Sequence, residues 1–174
     1  MGAKLKWIDR TWTFDGPVEV FPDVLERLRG TPARIEELVR GVGVGVLRRR
    51  EREGTWSIQE NVGHLLDLDA LHSGRIDDYL TGAATLRAAD MSNRATNQAG
   101  HNERAIDEVL GDFRRERGTF VARLERLADS DFARTSEHPR LKVRMRLVDM
   151  CRFTADHDDY HLARMRELLR MFGG

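Results

Sequence analysis

The segment from Arg146 to Met171 constrains the fold more than any other. Leu147, Met150, Cys151, Phe153, Met165, Leu168 and Leu169 recur at three- and four-residue steps, the period of one face of an α-helix. The same stripe, carried through its middle, lands on Thr154, His157 and His161. A long helix with such a face must bury it against other elements. Two imidazoles therefore interrupt the core-facing line instead of pointing to solvent. Residues four apart on a helix share a face and lie about 6 Å apart along its axis.

Three more segments carry the helical period. A helix is expected from about Pro22 to Arg40, with a break or restart at Thr31-Pro32, where a threonine cap precedes a proline suited to a first helical position. Ser57-Ile58-Gln59-Glu60 is a capping-box pattern that opens a second helix. Ile58, Val62, Leu65, Leu66, Leu68, Leu71, Ile76 and Tyr79 continue that helix to about Leu80. A third runs from about Glu103 to Leu127, with Ile106, Leu110, Phe113, Phe120, Leu124 and Leu127 on one side. Residues 83–100 and 128–144 read as long connections, the second containing His138-Pro139-Arg140, which cannot sit inside a helix. Gly41, Gly43 and Gly45 alternate with valines but lack the Gly-Lys-Ser/Thr of a phosphate loop, so they mark a helix end. Residues 1–21 form an irregular lead-in whose Trp7, Trp12, Phe14 and Phe21 pack on the body. The expected architecture is an all-α four-helix bundle, one domain over residues 1–174, with no credible strand pairs.

Composition narrows the function classes. Twenty-nine basic and 29 acidic residues balance to a formal net charge of zero, so no charge excess drives binding to nucleic acid or to an acidic membrane. No run reaches the roughly 20 apolar residues of a membrane span, and the N-terminus lacks a signal-peptide core. The single cysteine, Cys151, excludes an internal disulfide and points to the reducing cytoplasm.

His64, inside the second helix, is an inward third imidazole. Bundle cores are places where metal sites are built from facing helices. Three buried imidazoles are either hydrogen-bonded core residues or ligands to one ion. As ligands they suit Zn²⁺, Ni²⁺, Fe²⁺ or Cu²⁺, not Mg²⁺ or Ca²⁺, and leave a coordination position open. Glu60 and Asp67 lie one turn either side of His64 and are candidates to hold its second nitrogen, although Glu60 is also the capping-box residue. Asp156, Asp158 and Asp159 point away from the histidines and suit ion pairs. His72 is rotated from His64 by about 80°, and His101 and His138 read as solvated loop residues.

Two segments resemble a known family when taken together. Trp56-Ser57-Ile58-Gln59-Glu60-Asn61-Val62-Gly63-His64-Leu65 is similar to the second-helix signature of the DinB-like superfamily, and Ala155-Asp156-His157-Asp158-Asp159-Tyr160-His161-Leu162 to its last-helix signature. The similarity extends to residues 25–32 and to Ala89-Asp90-Met91 with Asn93 and Thr96. The resemblance implies a four-helix bundle with a three-histidine metal site at His64, His157 and His161. It implies a divalent transition metal such as Zn, Ni or Fe, and dimers are common in the family. Its members are assigned as metal-dependent hydrolases, and several are S-transferases or isomerases that use small thiols such as bacillithiol or mycothiol.

The expectation is a metal-dependent enzyme that joins a small-molecule electrophile to a low-molecular-weight thiol, with no nucleic-acid or membrane partner. Hydrolysis by a metal-activated water, a non-catalytic metal-binding bundle and a purely structural bundle remain the alternatives. Nothing in the sequence decides between thiol transfer and hydrolysis.

Overall fold

Each long helix begins where local chemistry starts it. In the computed structural model, which describes residues 5–173, α1 spans Phe21–Val39 with Pro22 in its first turn. The short α2 (Val44–Leu47) follows. α3 (Ile58–Leu80) opens on the capping box: Ser57 Oγ accepts from the Glu60 N–H at 3.1 Å, and Glu60 Oε2 accepts from the Ser57 N–H at 2.9 Å. α4 (Arg94–Gln98) is a single turn in the first long connection. α5 covers Ile106–Glu125 and α6 Leu147–Phe172, the latter opened by Asp149, whose Oδ2 accepts from the Arg146 N–H at 3.0 Å. α3 packs on α5 and α6, and α1 packs on the same two. The result is a four-helix bundle.

Two sequence expectations need correction. α1 does not break at Thr31-Pro32; Pro32 lies inside a continuous helix. A proline cannot donate to the carbonyl four residues back. That carbonyl, Leu28 O, instead accepts from Arg117 Nη1 at 3.3 Å, which removes most of the reason for a break. The second correction is a small antiparallel hairpin, β1 (Thr135–Glu137) with β2 (Arg144–Arg146), where no strands are expected. It forms because Ser136 and Met145 face each other and are both buried. Glu137 also exchanges backbone bonds with the chain beside it, donating to Ala84 O and accepting from the Leu86 N–H. His138-Pro139-Arg140 forms the tip of this hairpin. Of the lead-in, residues 1–4 lie outside the described residues; Trp7, Trp12, Phe14, Val18 and Val20 pack against the core.

The core divides into two apolar clusters, one at each end of the bundle. Val24, Leu28, Ile76, Phe120, Leu124 and Met150 belong to the first, and Ile35, Leu38, Val62, Leu65, Phe113 and Met165 to the second. Every long helix therefore contributes to both and changes character between them. The residues at that waist are polar: Thr31 on α1, Asp69 on α3, Arg117 on α5 and Asp158 on α6, all buried. Arg117 donates Nη2 to Asp69 Oδ1 at 3.0 Å and pairs through Nη1 with Asp158, whose Oδ2 also accepts from Thr31 Oγ1 at 2.8 Å. One guanidinium cannot neutralise two carboxylates, and burial pushes the Asp69 carboxyl up to about 7 against the pull of Arg117. This network links all four long helices beside the histidines.

Candidate metal centre

α6 brings His157 and His161 inward one turn apart, and α3 sets His64 opposite them. One nitrogen from each of the three falls within 4.8 Å of the other two, and all three residues are buried. His157 Nε2 and His161 Nε2 are 3.2 Å apart. Two nitrogens bound to one zinc at about 2.0–2.1 Å in a tetrahedron would be about 3.3 Å apart.

Partners on the far side of two rings set how those rings are turned. Asn61 Nδ2 donates to Ser57 O at 2.7 Å, which turns its Oδ1 to accept from His161 Nδ1 at 2.8 Å. His161 thus carries its proton on Nδ1 and presents a lone pair on Nε2. His64 Nδ1 meets Thr96 Oγ1 at 3.1 Å. Thr96 is held there by the turn before α4. Asp90 Oδ1 accepts from the Ser92 N–H, Asp90 Oδ2 accepts from the Arg94 N–H, and Asn93 adopts the left-handed conformation that asparagine tolerates. Trp56 Nε1 donates to Asn97 Oδ1 at 3.0 Å, and its ring lies 4.4 Å from that of His64. His157 Nδ1 is buried without a partner. Burial holds His64 and His157 down at about 3, so both are neutral at physiological pH. Three buried imidazoles whose nitrogens converge at this spacing are a donor set that fits a divalent transition metal.

The expected holders of His64 are elsewhere employed. Glu60 completes the capping box and pairs with Arg50, its Oε2 accepting from Arg50 Nε at 2.9 Å. Asp67 Oδ2 accepts from His101 Nε2 at 2.9 Å. His101 and His138 are buried, not solvated. The His101 ring fits because position 63 is glycine: a Cβ there would come within 2.2 Å of it. His72 is buried on the same cleft wall, its Nδ1 3.5 Å from Thr154 Oγ1. Asp156 and Asp159 pair with Arg27 across to α1, as inter-helix ion pairs. The residues that hold rings are instead Asn61, one turn before His64 on α3, and Thr96 on α4.

The histidines form the floor of a cleft of about 470 Å³, walled by Trp7, Trp56, Leu68, Leu71 and Phe153. The profile of a family described as the DinB superfamily matches residues 27–165. The chain belongs to the DinB superfamily. YfiT from Bacillus subtilis, described as a probable metal-dependent hydrolase with an unusual four-helix bundle topology, has a similar structure. Its TM-score is 0.79 at 23% identity, covering 94% of this chain and 94% of that one. The mycothiol-dependent maleylpyruvate isomerase is also similar in fold, with a TM-score of 0.67 at 11% identity over 88% of this chain and 63% of the isomerase chain. No curated protein sequence matches significantly. No described helix of this DinB-superfamily chain is long and apolar enough to cross a membrane.

Proposed function

We propose that His64, His157 and His161 hold a divalent transition metal, and that this DinB-superfamily protein transfers a small external thiol to an electrophile. The observation that carries the choice of thiol transfer is the chemistry of the cleft lining. Among the described residues the lining has one carboxylate, Asp90, and both its oxygens are engaged in the turn before α4, so these residues offer no free carboxylate base. Water begins at a pKa of about 15.7, whereas a free thiol begins near 8.5. Deprotonating a thiol therefore asks far less of a site made of neutral imidazoles. The metal would supply the remaining stabilisation of the thiolate.

The chain's own groups have defined tasks in this reading. Asn61 and Thr96 orient the ligating rings. Trp7, Trp56 and Phe153 exclude water from the thiolate. The thiol must come from outside, because Cys151 is fully buried and burial pushes its own thiol well above the usual range. The mycothiol dependence of the structurally similar isomerase supports this choice; the assignment of YfiT as a probable metal-dependent hydrolase supports hydrolysis as the second reading.

The test is a matrix of small thiols against 1-chloro-2,4-dinitrobenzene and p-nitrophenyl acetate, with metal-loaded wild type and His157→Ala. Thiol-dependent loss of electrophile that disappears in the variant is the expected result. Ester cleavage that needs the histidine but is indifferent to thiol would replace transfer with hydrolysis.

A further inference from the structure

The cleft has a second polar region, built from cations that make no ion pair among the described residues. Arg75 lies three turns beyond His64 on the same face of α3, about 16 Å along the axis. It is 3% exposed. Its Nε and Nη2 both donate to one backbone carbonyl, Arg87 O, at 3.2 and 3.1 Å. Asp78 is taken by Arg87, which donates Nη2 to its Oδ1 at 2.8 Å. From the hairpin tip, Arg140 reaches the same cleft with its Nη2 buried and unpartnered. Among the described residues neither Arg75 nor Arg140 makes an ion pair.

His138 adds a third donor. The backbone N–H groups of Arg140 and Leu141 donate to its Nδ1 at 3.3 and 3.2 Å, so its proton sits on Nε2. Burial, then the charges of Arg75 and Arg140, hold this ring neutral. All three side chains line the one cleft that also holds His64, His157 and His161. A buried guanidinium whose one hydrogen-bond partner among the described residues is a carbonyl, beside a second with an unpartnered buried nitrogen, is costly unless an anion joins them.

We propose that Arg75, Arg140 and His138 form a subsite for the carboxylate of a small organic acid whose reactive end lies over the histidines. The inference deepens the thiol-transfer reading by naming the substrate class, and rests on it for the chemistry alone; the binding itself needs neither metal nor turnover. A carboxylate is favoured because Arg75 has already spent two of its donor atoms on Arg87 O. What is left are guanidinium N–H groups and the His138 Nε2–H, and guanidinium pairs well with planar carboxylates. The apolar walls between the two polar regions suit the hydrocarbon part of such an acid.

The experiment uses the full chain stripped of metal, so that failure of the metal reading leaves it intact. Tryptophan fluorescence, reporting from Trp7 and Trp56, follows titration with 3-phenylpropionate, its uncharged amide 3-phenylpropanamide, and 2-phenylethylphosphonate. The carboxylate should bind wild type about tenfold tighter than the amide. The preference should vanish in Arg140→Gln and survive in part in Arg140→Lys. Arg140 sits on a partly exposed tip, so its variants keep the fold, checked by thermal melting; Arg75→Gln with an unchanged melt should lose the preference as well. Equal binding of acid and amide, no saturable binding of the acid up to about 10 mM, or a preference that survives Arg140→Gln would overturn the proposal. Tighter binding of the phosphonate would overturn the carboxylate assignment.

Discussion

Replacing Arg117 with methionine should be among the most damaging single changes in the protein. The side chains of Arg117, Asp69 and Asp158 are each 1% exposed, so no water can take over the role of the lost guanidinium. Methionine keeps much of the volume, which separates loss of charge from loss of packing. Removing one partner of a buried ion pair costs about 3–5 kcal/mol, because the other charge is left without compensation. At about 2–4 °C per kcal/mol for a domain of this size, the melting temperature should fall by roughly 6–20 °C. The loss carries a pH signature. The carboxyl of Asp69 already stands at about 7 with Arg117 present, far above its unfolded value of 3.8, so its protonated form is the one the fold prefers. Stability from such a raised carboxyl is present at low pH and lost as pH rises through the folded pKa. Without the guanidinium that pKa climbs further, so Arg117→Met should be hurt more at pH 8 than at pH 5. Urea denaturation at both values measures this, and adding Asp69→Asn and Asp158→Asn should recover much of the loss. A deficit below about 1 kcal/mol, or one that is the same at both pH values, would refute the buried network as described.

Asn61→Ala should leave the fold intact but free the His161 ring, weakening metal affinity about 10- to 100-fold, as read by competition with a chromophoric chelator. Thr96→Val should act in the same direction through His64. In metal-free protein, His64 and His157 sit at about 3 and His138 at about 4, all below the unfolded 6.5. Their stability contribution is therefore present above about 6.5 and is lost as pH falls toward those values, each group steepening the slope by up to about 1.4 kcal/mol per pH unit. Asp69 opposes this between its unfolded 3.8 and about 7, so the check is the difference between wild type and His157→Gln, whose slope should be shallower. Ser57→Ala should cost about 1 kcal/mol in the same assay, the usual value of an N-cap.

The helices were legible because their signals are local. Ser57 and Glu60 announce the start of α3, and the stripe from Leu147 to Leu169 announces α6 with its two inward histidines. What escaped was decided by partners distant in sequence. Pro32 reads as a break until Arg117, on another helix, takes the carbonyl it leaves. Arg117 itself fills the gap between Phe113 and Phe120 on the apolar face of α5, and that position was the available sign of a buried cation. Asp67 shares a face with His64 but is claimed by His101, which arrives from a connection. Asn61 and Thr96 hold the rings in place of Glu60 and Asp67 because the last side-chain assignments depend on which loop lands where. The hairpin at Thr135–Glu137 rests on burial of Ser136 and Met145, which no strand propensity records.

Metal content tests the central reading most directly. Elemental analysis of tag-free protein should find about one Zn, Ni or Fe per chain, before or after incubation with each ion. His64→Ala, His157→Ala and His161→Ala should each lose it while circular dichroism shows the helices retained. Wild type that takes up none of these ions, or variants that hold metal as well as wild type does, would contradict the account.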